Sequence, residues 1–272
     1  MRRFLDRLGL AFAVVVLVSP AILVFLWMIS LSLKTELDNT AYPPVFIPNP
    51  PVWDNFISVF ENNNFLLYTW NSILVSFSAT GLALLIGVPA GYGIAKMQAT
   101  RAAMLILIAR ITPGLSYLIP LFLLFQWLGL TGTLLPIVVT HLVITVPIVV
   151  WVMIGFFEGL PGELEEAALV DGATIWQAFR HVALPLALPG ITVATILSFI
   201  FSWNNFIFAM VLAGRETRTL PVAVNNMLTF EQISWGPLAA AALMVTLPVL
   251  LLTLLAQKQI IAGLTAGGVK GG

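Results

Sequence analysis

Three groups of residues in this 272-residue sequence have types and spacings that could do chemistry. The first is a run of acids: of twelve acidic residues in the chain, Glu158, Glu163, Glu165, Glu166 and Asp171 fall within fourteen positions, around "EEAALVDGATIWQAFRHVALPLALPG" at 165–190. The second is Arg110, in "ARITPG", an ionisable residue inside an otherwise apolar stretch. The third is "SWNNF" at 202–206, where Trp203 offers a ring that stacks on the apolar face of a sugar, and Asn204 and Asn205 offer amides that bond hydroxyls. None of these is an enzyme's constellation. The chain has no G-x-x-x-x-G-K-[ST] phosphate loop, no H-E-x-x-H and no G-x-S-x-G, and no nucleophile stands beside a base. His141 is a lone histidine without an acidic partner, which fits a packing role rather than a proton relay. No metal-ligand cluster is read from the sequence. With no cysteine, disulfide and thiolate chemistry are excluded.

The elements that must position these residues are set by an oily composition. The chain is 60% hydrophobic and 9% charged, against roughly 45–50% and about 25% in soluble domains, so it is expected to be an all-α integral membrane protein. Twelve basic residues balance the twelve acids, which leaves no field to draw nucleic acid. A crossing takes about 20 apolar residues. Six such stretches are expected in a single transmembrane domain spanning 1–272, at about 9–33, 71–95, 103–126, 134–157, 189–213 and 236–257. The basic start "MRRFLDR" is read as the edge of the first span rather than as a signal peptide, because the apolar run is too long and lacks a small-residue cleavage site. No charged residue lies between Arg110 and Glu158, and "GLTGT" at 129–133 divides that stretch in two. The distribution of Lys and Arg between loops places both termini, and the acid-rich loop at 158–188, on the cytoplasmic side. It leaves two long polar loops, about 34–70 and 214–235, outside. The proline-rich "YPPVFIPNPPVWDNF" at 42–56 reads as extended and exposed.

Within the acid-rich loop, the spacing predicts two short helices separated by a glycine. Pro161 suits a first turn, Glu163, Glu165 and Glu166 lie where the helix dipole favours acids, and Asp171-Gly172 is a stop. Leu164, Ala167 and Ala168 form a small apolar stripe; in the second helix Ile175, Phe179 and Val182 share a face. Helices this short need external support. Two readings stand: an amphipathic loop on lipid headgroups, or a surface for a protein partner. Acids favour the second, since headgroup-bound helices carry Lys and Arg.

"EEAALVDGATIWQAFRHVALP" closely resembles the EAA loop of the permeases of binding-protein-dependent ABC importers, with Glu166, Ala167, Ala168, Gly172, Leu184 and Pro185 at its core positions. "NSILVS" at 71–76, "WNNF" at 203–206 and the tail "GLTAGGVKG" at 263–271 are similar to the carbohydrate-specific, maltose-type branch, in particular its second permease. The resemblance implies a type I importer permease fold in a bacterial or archaeal cytoplasmic membrane. It implies that Glu165, Glu166, Ala167, Ala168, Asp171, Gly172, Phe179, Leu184 and Pro185 couple to a separate ATPase, with the acids facing it. It also implies that Gly263, Leu264, Thr265, Gly267 and Gly268 reach between two ATPase subunits. The expected partners are a homologous second permease, an ATPase dimer that holds ATP and Mg, an extracytoplasmic solute-binding protein and lipid. This chain itself is expected to bind no cofactor and to be non-catalytic, with hydrolysis on the separate ATPase.

Arg110, Trp203, Asn204 and Asn205 are the candidate substrate path, for a sugar or polyol. Arg110 either faces a cavity or, about 10 Å into its span, snorkels to the headgroups. The asparagines either meet substrate or bond between helices. The rival class is a self-sufficient secondary transporter, which predicts acids within the spans and internal repeats.

Overall fold

A computed structural model describes residues 2–62, 64–228 and 233–266, and among them every regular element is a helix. In chain order these are α1 (Arg2–Ser32), α2 (Glu36–Asn39), α3 (Asp54–Asn62), α4 (Phe65–Lys96), α5 (Thr100–Ile111), α6 (Leu115–Trp127), α7 (Leu134–Glu158), α8 (Gly162–Val170), α9 (Ile175–Ala178), a π turn (Phe179–Ala183), α10 (Leu184–Leu186), α11 (Leu188–Trp203), α12 (Ile207–Leu212), α13 (Leu220–Asn225) and α14 (Trp235–Ala266).

Four helical segments are long and apolar enough to cross a bilayer: Val14–Ser32, Phe65–Lys96, Leu134–Glu158 and Trp235–Leu254. Two bent pairs, α5 with α6 at 87° and Ile175–Leu186 with α11 at 74°, raise the number to six if each counts as one. The stretch expected as a third continuous span is thus broken. Pro113 has no N–H to donate and pushes the residue before it out of the helical region, and Thr112 takes φ −60°, ψ 125°. The expected fifth span is also interrupted. At its break Asn204 Nδ2 donates to Ile200 O, 3.0 Å away, while Asn205 Oδ1 accepts from Phe208 N at 3.4 Å. The Asn204 side chain shares Ile200 O with its own backbone N–H, while Asn205 Oδ1 gives Phe208 N a side-chain partner at the break.

The chain divides into two compact units. One, built from Met1–Leu66 and Ala223–Leu247, holds α1, α2, α3 and the first part of α14. Its extended segment after α1 is tied down rather than free: Lys34 Nζ donates to Val45 O (2.7 Å) and lies 4.5 Å over the Trp27 ring, and Asn55 Nδ2 donates to Ser32 O and Lys34 O. Burial pushes the Lys34 ammonium below the usual lysine range, against the opposing pull of Asp38. Gly236 N donates to Glu36 Oε1 at 2.7 Å.

The second unit, Leu67–Val222 with Pro248–Gly272, holds the remaining helices. Its core is built on small residues. Ala79, Ala83, Gly87 and Gly91 recur every fourth position along α4, and α7 packs at backbone distance against the last two. A Cβ added at Gly87 would lie 2.7 Å from Val149 Cγ1, and one at Gly91 would lie 2.7 Å from Met153 Cβ. Small residues spaced by four allow this approach, and dispersion between closely packed helices is what remains to hold them where lipid is as apolar as the core.

Candidate functional site

The loop between α7 and α11 follows the expected order of helix, glycine, helix. α8 ends in a Schellman motif: Ala173 N donates to Ala168 O (3.0 Å), Gly172 N donates to Leu169 O (3.1 Å), and Gly172 takes φ +91°. Thr174 then caps α9 reciprocally, accepting from Gln177 N while Gln177 Oε1 accepts from Thr174 N. The chain does not stop at Pro185 as expected but runs on to Leu186. Because Pro185 cannot donate and crowds the preceding turn, the helix widens to a π turn, in which Leu184 N bonds Phe179 O.

Burial corrects the expected orientation of the acids. Glu158, Glu163, Glu166 and Asp171 are exposed, but Glu165 turns inward and is 7% accessible. Its Oε2 accepts from Tyr92 Oη at 2.9 Å and pairs with Lys96 Nζ at 3.0 Å. At about 100° per residue, Glu165 and Glu166 point in different directions, and here only Glu165 meets the helix beneath. The expected apolar stripe also lies outward: Leu164 and Ala167 are exposed, and only Ala168 is half-buried. Leu164, Val170, Ile175 and Trp176 stand beside the acids on the exposed surface, Val170 being 87% accessible.

An aromatic cluster seats the loop. Phe179 is buried, with ring centroids 4.7 Å from Tyr92 and 5.1 Å from Trp176, and Tyr92 meets Phe157 edge-on at 5.3 Å. Ile175, expected on the same face as Phe179, is exposed at the first turn of the helix, whereas Phe179 one turn later is buried. Leu184 is half-buried and Pro185 exposed. Tyr92 and Lys96 escaped the sequence reading as site residues, although their i, i+4 spacing on α4 puts both on one face. An open cavity of about 700 Å³ lies beside this joint, lined by Lys96, Gln98, Thr100, Phe157, Glu158 and Glu165 among others.

A second, more apolar cavity of about 600 Å³ sits at the two helix breaks, between Pro113–Leu115 and 204–208. Asn204 and Asn205 line it. Trp203 does not: it is 3% accessible and stacks on Phe199 at 5.5 Å, so the expected stacking surface for substrate is packed into the core. Arg110 is exposed near the end of α5 and is not among the lining residues. Behind the cavity, His141 is buried, with Nδ1 2.8 Å from Ser202 Oγ, and Asn205 interacts with the same imidazole. The histidine is thus a polar link between α7 and the end of α11. A division of effects follows. Trp203→Ala leaves a void in the core and is expected to cost about 3–5 kcal/mol, seen as lower yield and melting temperature. Asn204→Ala, exposed at the cavity, leaves yield unchanged. Equal loss of melting temperature in the two variants would contradict this division.

Gly263, Leu264 and Thr265 of the expected tail lie within α14, whose helix runs to Ala266. Gly267 and Gly268 lie outside the described residues.

Apolar helical spans carrying a short two-helix loop, acidic and apolar on its exposed surface and anchored by aromatics beneath, define a polytopic helical membrane protein. The chain belongs to the family of binding-protein-dependent transport system inner membrane components, whose model matches residues 83–260. Among curated relatives, it is 36% identical over 260 residues to the trehalose transport system permease protein SugB of Mycobacterium tuberculosis, covering 93% of this chain and 94% of that one. It is 36% identical over 256 residues to the maltose/maltodextrin transport system permease protein MalG of Escherichia coli K12, covering 90% and 80%. A chain from the crystal structure of a bacterial ABC transporter involved in the import of the acidic polysaccharide alginate shares the fold, with TM-score 0.75, 22% identity and coverage of 94% and 95%. Membership in a binding-protein-dependent family sets aside the self-sufficient secondary transporter.

Proposed function

We propose that this chain is one permease half of an ATP-driven ABC importer for a sugar or polyol. The observation that carries the reading is the loop itself. A glycine-hinged helix pair, held from below by Phe179 and Glu165, leaves Glu166, Asp171, Leu164 and Val170 free for a partner. That partner is a separate ATPase dimer, which holds ATP and Mg and supplies hydrolysis; this chain supplies the lever. The other partners are a homologous permease that completes the pathway, an extracytoplasmic binding protein that delivers solute, and the lipid of an inner membrane. Both termini face the cytoplasm. Closure of the ATPase dimer moves the loop, the loop moves the helices it is anchored to, and the cavity opens alternately to either side.

The substrate class is supported by relatives named for trehalose and maltose transport and by the amides at the helix-break cavity. Hydroxyls stripped of water need replacement hydrogen bonds, which amides provide without charge. The fold does not choose the substrate's charge, since a neighbour of the same fold is described with an acidic polysaccharide. The test is uptake by the reconstituted complex from a panel of trehalose, maltose, sorbitol, an amino acid and an organic anion. ATP-dependent uptake restricted to a sugar or polyol is expected. Selective uptake of the amino acid or anion would overturn the substrate class, and uptake independent of ATP would overturn the importer reading.

A further inference from the structure

Glu165 is the one acid of its cluster that is buried, and both of its partners come from α4. Tyr92 and Lys96 converge on a single carboxylate oxygen, Oε2, one donating a hydroxyl hydrogen and the other an ammonium hydrogen. Among the described residues this is the one salt bridge. Two donors, one of them charged, anchor this carboxylate oxygen to α4. Displacing α8 alone would break both bonds to this largely covered carboxylate, a loss that sliding one apolar surface over another does not carry. Tyr92 is held from its other side by Phe179 of the same loop, so the contact grips the tyrosine from two elements.

The end of α4 is built to receive this load. Immediately after Lys96 the helix closes with Ala99 N on Ile94 O (3.0 Å) and Gln98 N on Ala95 O (3.2 Å), and Gln98 takes φ +48°, a conformation that non-glycine residues seldom adopt. Earlier along α4, Gly87 and Gly91 seat it closely against Val149 and Met153 of α7.

From this geometry we infer that Glu165, unlike its outward neighbours, is a positioning residue that locks α8 to α4 through Tyr92 and Lys96, so that movement of the docking loop is delivered to the α4–α7 pair. The inference rests on the permease reading for what moves the loop, but the lock itself is a property of this chain.

The sequence contains no cysteine, so an introduced pair are the only thiols of this chain, and the same complex carrying the native chain gives the labelling background to subtract. Met97 and Val170, 80% and 87% accessible, place labels on the two sides of the lock. The M97C/V170C chain, purified in its complex in nanodiscs, is expected to give a narrow distance distribution that is unchanged by ADP–vanadate trapping. Glu165→Ala and Glu165→Gln broaden it. They also lower trehalose or maltose uptake per ATP hydrolysed by about tenfold, within the range by which positions coupled to a site change its linkage, while ATP hydrolysis itself continues. The charge swap K96E/E165K narrows the distribution and recovers most of the ratio. A native-like distribution and ratio in Glu165→Gln overturns the inference, and so does a charge swap no better than either single variant. Should Glu165→Ala fail to assemble, Glu165→Gln and the swap decide. Failure of the permease reading looks different: the native chain then shows no ATP-dependent uptake of either sugar, while the label pair still reports whether α8 and α4 are locked.

Discussion

Gly172→Val is expected to reduce ATP-driven uptake by about tenfold or more and to lower recovery of the ATPase with the permease, whereas Gly172→Asn retains most of both. The residue closes α8 with φ +91°, and a Cβ built there meets nothing within 4 Å. Steric clash is therefore not the cause; the backbone conformation is. A left-handed backbone costs an L-residue about 1–2 kcal/mol, more when the side chain is β-branched, and asparagine tolerates it best among non-glycine residues. A tenfold effect corresponds to about 1.4 kcal/mol, so the strain is of the required size. α8 has nine residues and cannot absorb that strain alone. It relaxes by losing the Ala173 to Ala168 bond and re-aiming Glu166 and Val170. Uptake and ATPase co-purification measured across Ala, Asn and Val at position 172 check this. Equal activity of the Val and Asn variants would show that the conformation of this turn is immaterial.

Gly91→Leu is expected to destroy the fold of the α4–α7 pair rather than to alter transport selectively. The added Cβ would stand 2.7 Å from Met153 Cβ and 3.2 Å from Val150 O, and the second of these is backbone that cannot rotate away. Overpacking typically costs about 1–3 kcal/mol where side chains can adjust, and more where the obstacle is main chain. The loss falls directly beside Tyr92, so the loop anchor goes with it. Gly190→Leu is expected to behave similarly, because its Cβ would lie 2.4 Å from the Phe156 ring. Gly155→Ala, with open space around its Cβ, is the control. Melting temperatures of the purified chain in detergent separate these cases. A Gly91→Leu protein that melts with the native one would refute close helix contact at this position.

Much of the candidate site could be read along the chain because its signals are local. An acid cluster followed by Asp-Gly, and the order of helix, glycine and helix, depend on backbone preferences that act within a few residues. The apolar stretches are equally local, since each reflects the length of hydrocarbon a helix must cross. Breaks were harder to place. "TPG" at 112–114 weakens a helix locally, but a bend of 87° depends on what the two halves pack against.

The direction in which each side chain points was decided only in three dimensions. Trp203 offered an attractive ring for a sugar, and Glu165 stood beside Glu166 as an equal candidate for an exterior partner. In the folded chain Trp203 is stacked on Phe199, and Glu165 is drawn under the loop by Tyr92 and Lys96, about seventy residues earlier. Composition and local propensity determined that this protein crosses a membrane and carries a glycine-hinged acidic loop. Which acid looks outward and which one holds the loop to its helix was settled by the tertiary structure, because a buried carboxylate must find its donors wherever the packing of α4 on α7 has put them.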